Sequence, residues 1–306
     1  GSNNTAFGAA ALYTNTTGTS NVALGGQSLE ANTTGNSNNA LGSQALHANT
    51  TGVRNIAIGT TSLFTNTTGL ENTGVGYNAL YYNTTGDWNT AIGRSSMTAN
   101  TTADSNTAVG GESLRYNTTG AYNTAIGRSA MYANTTANNN SALGQLALTT
   151  NTTGAQNVAI GTSALQYNTT ASNNTAVGYA ALEVNTTGTE NTATGYRALD
   201  ANTSGSENVA VGYTALSAAT TVAGNTAVGH GASKLTTGAN NTAIGSRALD
   251  ANVAGTSNVA IGYESLSTQS GSQNHNTAVG AYALQNNTTG TGLVAVGSQA
   301  MDAHTT

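Results

Sequence analysis

The chain has 306 residues, no proline, no cysteine, 12 acidic and 7 basic side chains, and a net charge of −5. Without cysteine there is no disulfide framework, zinc ribbon or thiol nucleophile, and the sparse acidic charge excludes the clustered Lys and Arg that nucleic acid requires. Leu, Ile, Val and Phe make only 46 residues, too few for an ordinary globular core, and no apolar run approaches the ~18 residues of a membrane span.

A period replaces the missing core. Asn, Thr and Gly account for 135 residues, and 306 is eighteen times seventeen. Aligned on Asn-x-Ala-apolar-Gly, the repeats begin at Asn4, Asn21, Asn38 and so on to Leu293, with the consensus Asn-Thr-Ala-Val-Gly-x-x-Ala-Leu-x-x-Asn-Thr-Thr-Gly-x-x, as in Asn174 to Glu190. Position 5 is Gly in every repeat, position 3 is Ala except at Gly74, position 8 is Ala or Ser, and position 9 is Leu or Met except at Ser233. Charged residues, the thirteen Tyr and the single Trp, Trp88, are confined to positions 6, 7, 10, 11, 16 and 17.

Taken in order along one repeat, the elements are a strand over positions 2–5, a second strand over 7–11, and a turn at Asn-Thr-Thr-Gly. Glycine and the turn segment interrupt any helical period, and Asn and Gly both tolerate φ > 0. Seventeen residues suit one coil of a parallel β-solenoid, stacked at ~4.8 Å per coil into a rod of roughly 85 Å. Stacked Asn side chains are then expected to hydrogen-bond along their columns. The large apolar residues at positions 4 and 9 are the expected core. Alternation sends the small residues at 3 and 5 opposite position 4, and position 8 opposite 9. Something must therefore pack closely on that far face, either other copies of the chain or a corner at the glycine of position 5 that resets the alternation.

The kernel, repeated throughout as in Asn55-Ile-Ala-Ile-Gly59 and Asn258-Val-Ala-Ile-Gly262, resembles the YadA-like head repeats of trimeric autotransporter adhesins. With its Asn-Thr-Thr-Gly link it is also similar to repeats of phage tail-fibre-like proteins. The resemblance implies an all-β left-handed parallel β-roll of eighteen 17-residue coils, a homotrimer around a shared axis, and a place on a cell or virion surface. The adhesin heads have shorter coils, of about fourteen residues. The expected organisation is a single solenoid domain over residues 1–306, a fragment of a longer chain, with irregular coils at 217–240 and 267–275. In the first the Asn-Thr-Thr-Gly link is lost and a residue is missing; in the second a residue is added.

Tyr179, Tyr196 and Tyr213 share position 6 of successive coils, and stacking makes them an exposed aromatic ladder, a platform for a sugar ring or an apolar surface. Asp87 with Asp104, Glu183 with Asp200, and Glu190 with Glu207 also repeat at one position, which places each pair roughly 5 Å apart. Ca²⁺ is the cation that suits such oxygen pairs; otherwise they are solvated carboxylates, and no other cofactor is indicated. His47, His230, His275 and His304 fall at different positions and form no ligand set. Gly229-His-Gly-Ala-Ser-Lys234 lacks the spacing of a phosphate loop. The expected function is a non-enzymatic surface fibre segment that extends and presents a binding surface to a host-surface glycan or protein. The alternative is a monomeric solenoid that binds ice or carbohydrate through one face, although adjacent threonines in a strand would point to opposite sides.

Overall fold

The computed structural model of the chain describes residues 1–269 and 271–303. His304 therefore lies outside the described residues, as does Ser270 within the second irregular coil. The fold is an all-β parallel solenoid, without helix among the described residues, and it forms two compact units, Gly1–Ala155 and Gln156–Thr306. The first unit carries nine strands, from β1 (Thr5–Phe7) to β9 (Ser141–Leu143), and the second carries nine more, from β10 (Val158–Ile160) to β18 (Val294–Val296). Within each unit every strand pairs in parallel with the next, equivalent residue against equivalent residue, as Thr5 against Val22 and Val158 against Thr175.

Among the described residues each coil contains one strand of three residues, at positions 2–4, and not two. The expected second strand is a ladder of turns. At positions 7 and 9 the backbone is left-handed in ordinary residues, as at Asn78 (φ 56°) and Leu80 (φ 53°). The N–H groups of positions 7 and 9 bond outwards to neighbouring coils, in opposite directions along the stack. Gln27 N donates to Ala9 O at 2.8 Å, and Leu29 N to Ala45 O at 3.0 Å. Left-handed φ costs an L-residue ~1–2 kcal/mol. Full burial of the Leu at position 9 stabilises by ~1.5–3 kcal/mol, enough to hold that conformation.

The expected core is half right. Leu80, Leu114, Leu165 and their equivalents at position 9 of the inner coils are fully buried, while Leu12 and Met301 of the end coils are not. Position 4 faces outwards instead, with Ile58 41% and Ile92 40% exposed, while in the inner coils the Ala of position 3 and the Ala or Ser of position 8 are enclosed. The small residues are thus small because they lie inside the coil. Gly at position 5, with φ between +126° and +144°, makes the corner that resets the alternation. A Cβ on Gly178 would stand 2.4 Å from the carbonyl oxygen of Gly195 in the next coil, so both conformation and space require glycine there.

Two buried asparagine columns complete the interior. At position 12, Asn100 Nδ2 donates to Asn83 Oδ1 at 2.7 Å and to Ala103 O, while its own Oδ1 accepts from Asn117 Nδ2 at 3.0 Å. At position 1, Asn106 Nδ2 donates to Gly120 O at 2.9 Å, and its Oδ1 accepts the backbone N–H of Asn123 at 2.9 Å. The carbonyl of position 15 thus receives both columns, and buried amide groups that would otherwise each cost ~1–3 kcal/mol are satisfied. The asparagine and glycine of the Asn-Thr-Thr-Gly link, which tolerate φ > 0, do not adopt it; the left-handed residues of the coil are at 5, 7, 9 and 17.

The irregular coils keep their strand register: Thr226 of β14 (Thr226–Val228) pairs with Thr242 of β15 (Thr242–Ile244), and Val259 of β16 (Val259–Ile261) with Thr277 of β17 (Thr277–Val279). Length changes are absorbed in the link. In the longer coil Gln269 stands at position 12, and its Nε2 reaches Gln273 O at 2.7 Å, four residues on, where Asn reaches three. One extra methylene spans one extra residue.

Candidate functional site

With the recurrent pattern of each coil consumed internally, the chemistry available to a partner lies on the variable positions and on the outer strand face. Position 6 follows the Gly corner and points outwards. The rings of Tyr179 and Tyr196 stack at 5.4 Å and 12°, and those of Tyr196 and Tyr213 at 5.1 Å and 9°. All three rings are about half exposed. His230 adds a fourth ring, 5.2 Å from Tyr213 and 6° from parallel. The sequence places His230 at position 6, a signal that a search for histidine clusters passes over. The spacing is the strand spacing of a stacked solenoid, so the ladder follows from register alone.

A second stack, unanticipated from the sequence, runs along position 10. His47 lies 5.0 Å from Phe64, and Phe64 lies 5.0 Å from Tyr81, with interplanar angles of 9° and 12°. Tyr82 meets Tyr81 edge-on at 4.6 Å. Tyr116 and Tyr132 also meet edge-on, at 5.0 Å, with the Arg115 guanidinium over both rings. The hydrogen bond to Tyr116, with burial, holds the Tyr132 phenol above its ordinary pKa.

Three members of the acidic pairs, Asp87, Asp104 and Asp200, have other employment. Asp87 Oδ1 accepts the backbone N–H of Leu70, and Asp104 Oδ1 that of Asp87, both at 2.8 Å. Asn36, Asn138 and Asn274 accept the equivalent N–H group of the preceding coil, so position 16 favours a short acceptor side chain for a backbone reason. Asp200 pairs with Arg197 at 2.6 Å, which raises the guanidinium pKa. Among the described residues no three or more His, Asp or Glu gather as a metal site. His47 lies 3.3 Å from Glu30, whereas His275 occupies a left-handed position 17. Gly229 and Gly231 belong to the same turn ladder as every other coil.

Two uncharged columns cover the outer face of the strands, mostly Thr, Val or Ile at position 2, with Asn39 and Ser141, and apolar residues at position 4, with Thr194 the polar exception. At the link, the position-13 threonines are committed: Thr67 Oγ1 donates to Thr84 O at 3.0 Å, and Thr118 Oγ1 to Thr135 O at 3.0 Å. The position-14 threonines, such as Thr68 and Thr119, are exposed. No described helix is long and apolar enough to cross a membrane. No protein-family model matches the chain, and no curated protein matches it.

Proposed function

We propose that the chain is a non-enzymatic structural and adhesive segment of a surface fibre, on a cell or virion, which extends and presents side chains to an extracellular ligand. One observation carries this reading. The interior of the inner coils is built from fixed residues at positions 1, 3, 8, 9 and 12, and most variable side chains lie outside, so these can change without loss of the scaffold. We read the coils as a left-handed β-roll of seventeen residues per turn and the assembly as a homotrimer. The neutral strand face of positions 2 and 4 supports association, because within each unit it exposes apolar side chains in a column, interrupted only by Thr194 among the described residues, and bears no charge. This face replaces the small residues at 3 and 8 as the ground for self-association, since those are spent inside.

Light scattering on the purified chain tests the assembly. A species of about 91 kDa, three times the 30.3 kDa chain, is expected, and a clean monomer overturns the fibre. The aromatic stacks favour carbohydrate as the ligand of a monomeric solenoid, the second reading. Ice has less support at the link, where one of the two threonine columns has given its hydroxyls to the backbone. Thermal hysteresis measured on the same sample separates these two, and a positive result selects ice.

A further inference from the structure

Four of the sixteen aromatic residues occur in the single coil from Asn72 to Trp88. Three of them, Tyr77, Tyr81 and Tyr82, line one recess of about 340 Å³ with Thr61, Asn78 and Thr98. We propose that this recess is a binding site for one neutral sugar ring.

The recess arises where a stack stops. Along position 10 the rings of His47, Phe64 and Tyr81 lie face to face, and the next coil supplies Thr98 in place of a ring. Phe64 covers one face of Tyr81 and holds it in place, while the other side of the column is left with a short hydroxyl residue. Tyr82, set at 76° to Tyr81, makes a wall beside this floor. Tyr77 reaches the same recess from position 6, because the left-handed residues Asn78 and Leu80 fold the intervening chain into a tight turn.

The polar groups fit a ring edged with hydroxyls. Thr61 Oγ1 shares its one proton between Thr60 O and Asn78 Oδ1, each at 2.6 Å, which ties the amide to the next coil; Asn78 Nδ2 has no protein partner among the described residues. Thr98 Oγ1 is fixed by Ser95 O at 2.9 Å. The phenol groups of Tyr77 and Tyr82 belong to side chains more than half exposed, at 54% and 53%. No charged side chain lines the recess, so an anionic sugar has no counter-ion and a neutral one loses nothing. An aromatic floor receives the C–H face of a pyranose, and fixed amide and hydroxyl groups receive its edge. The lining spans only three successive coils, room for one ring and short of the extended groove that a proline-rich peptide needs.

The inference rests on the presentation reading in one respect, that the exterior meets a ligand. It is tested on the full chain with an array of neutral hexose and N-acetylhexosamine oligosaccharides, followed by titration of the best binder. Wild type is expected to bind, Tyr82→Ala and Asn78→Ala to weaken binding about tenfold, and Tyr196→Ala to bind as wild type. Circular dichroism confirms that each variant folds. Absence of any neutral glycan bound by wild type overturns the site, as does equal binding by Tyr82→Ala. Loss of binding in Tyr196→Ala alone moves recognition to the position-6 ladder; that result overturns the recess and leaves the presentation reading standing. A monomer that binds sugar through Tyr82 supports the recess and overturns the fibre. Selection of a proline-rich peptide over every sugar overturns the recess as well.

Discussion

Gly178 and Gly86 show how differently the two glycine positions of a coil are constrained. Gly178, at position 5, has φ +136° and no room for a Cβ beside the Gly195 carbonyl. Gly178→Ala combines backbone strain of ~1–3 kcal/mol with an overpacking cost of ~1–3 kcal/mol, so a loss of about 2–6 kcal/mol is expected in urea unfolding. Gly86, at position 15, is also crowded, 2.4 Å from the Ala103 carbonyl oxygen, but has no left-handed φ. Ala103, Ala137 and Ala171 occupy this position, and their carbonyls still accept the position-12 amide at 3.2, 3.2 and 3.0 Å. Gly86→Ala is therefore expected to change stability by less than about 1 kcal/mol. The asparagine columns are stricter. In Asn100→Asp a buried acceptor replaces the donor that faces Asn83 Oδ1 and Ala103 O. Its folded pKa must rise, so the penalty, about 3–5 kcal/mol at neutral pH, sets in as pH increases through the ordinary carboxylate range near about 4. Below that range the protonated acid donates to Asn83 and most of the loss is recovered. Urea midpoints measured across pH check the sign.

At the scale of the element, the link between coils is the adjustable part. Strand registers pass unaltered through a shortened coil and a lengthened one, because three-residue strands pair by equivalence and leave length changes to positions 13–15. Where the position-12 column is broken at Ala219, the released Oδ1 of Asn202 turns to the N–H of Gly205 at 3.1 Å. Gln269→Asn in the longer coil shortens the side chain that spans it to the Gln273 carbonyl. A loss of about 1–3 kcal/mol is expected, and deletion of Gly271 in the same variant should restore much of it by returning the link to its usual length. Thermal unfolding of the single and double variants distinguishes a span effect from simple loss of an amide. The expected strand over positions 7–11 failed for a reason also at this scale. Alternation assumes extended backbone, and nothing in Leu or Asn at these positions announces a left-handed φ. The conformation is imposed by hydrogen bonds to the coils on either side.

Over the whole molecule, association depends on which columns the folded chain leaves outside. Ile126, at position 4, is 37% exposed, whereas its neighbour Ala125 is fully buried. Ile126→Lys should leave monomer stability within ~0.5 kcal/mol and, if the strand face joins chains, convert a trimer of about 91 kDa to single chains. Ala125→Lys should prevent folding, since it places an unpaired charge in an interior with room for one large side chain per coil. Light scattering with circular dichroism reads both. A trimer that survives Ile126→Lys excludes this face as the interface.

The amino-acid sequence by itself determined the period, the parallel pairing of equivalent residues, the Tyr179–Tyr196–Tyr213 ladder and the bonding of asparagine along its column. All of these follow from stacking like upon like, a relation between nearest neighbours that a repeat states openly. Only the tertiary structure decided which side of the strand faces inwards. The strand is turned at one end by the glycine of position 5 and at the other by the left-handed residue of position 17. The coil therefore closes around the small residues of positions 3 and 8 and the leucine of position 9, and the bulkier position 4 is left outside. The recess at Tyr77, Tyr81 and Tyr82 was hidden for the same reason. Positions 6, 10 and 11 are separated in sequence and meet only because the turn between them is left-handed.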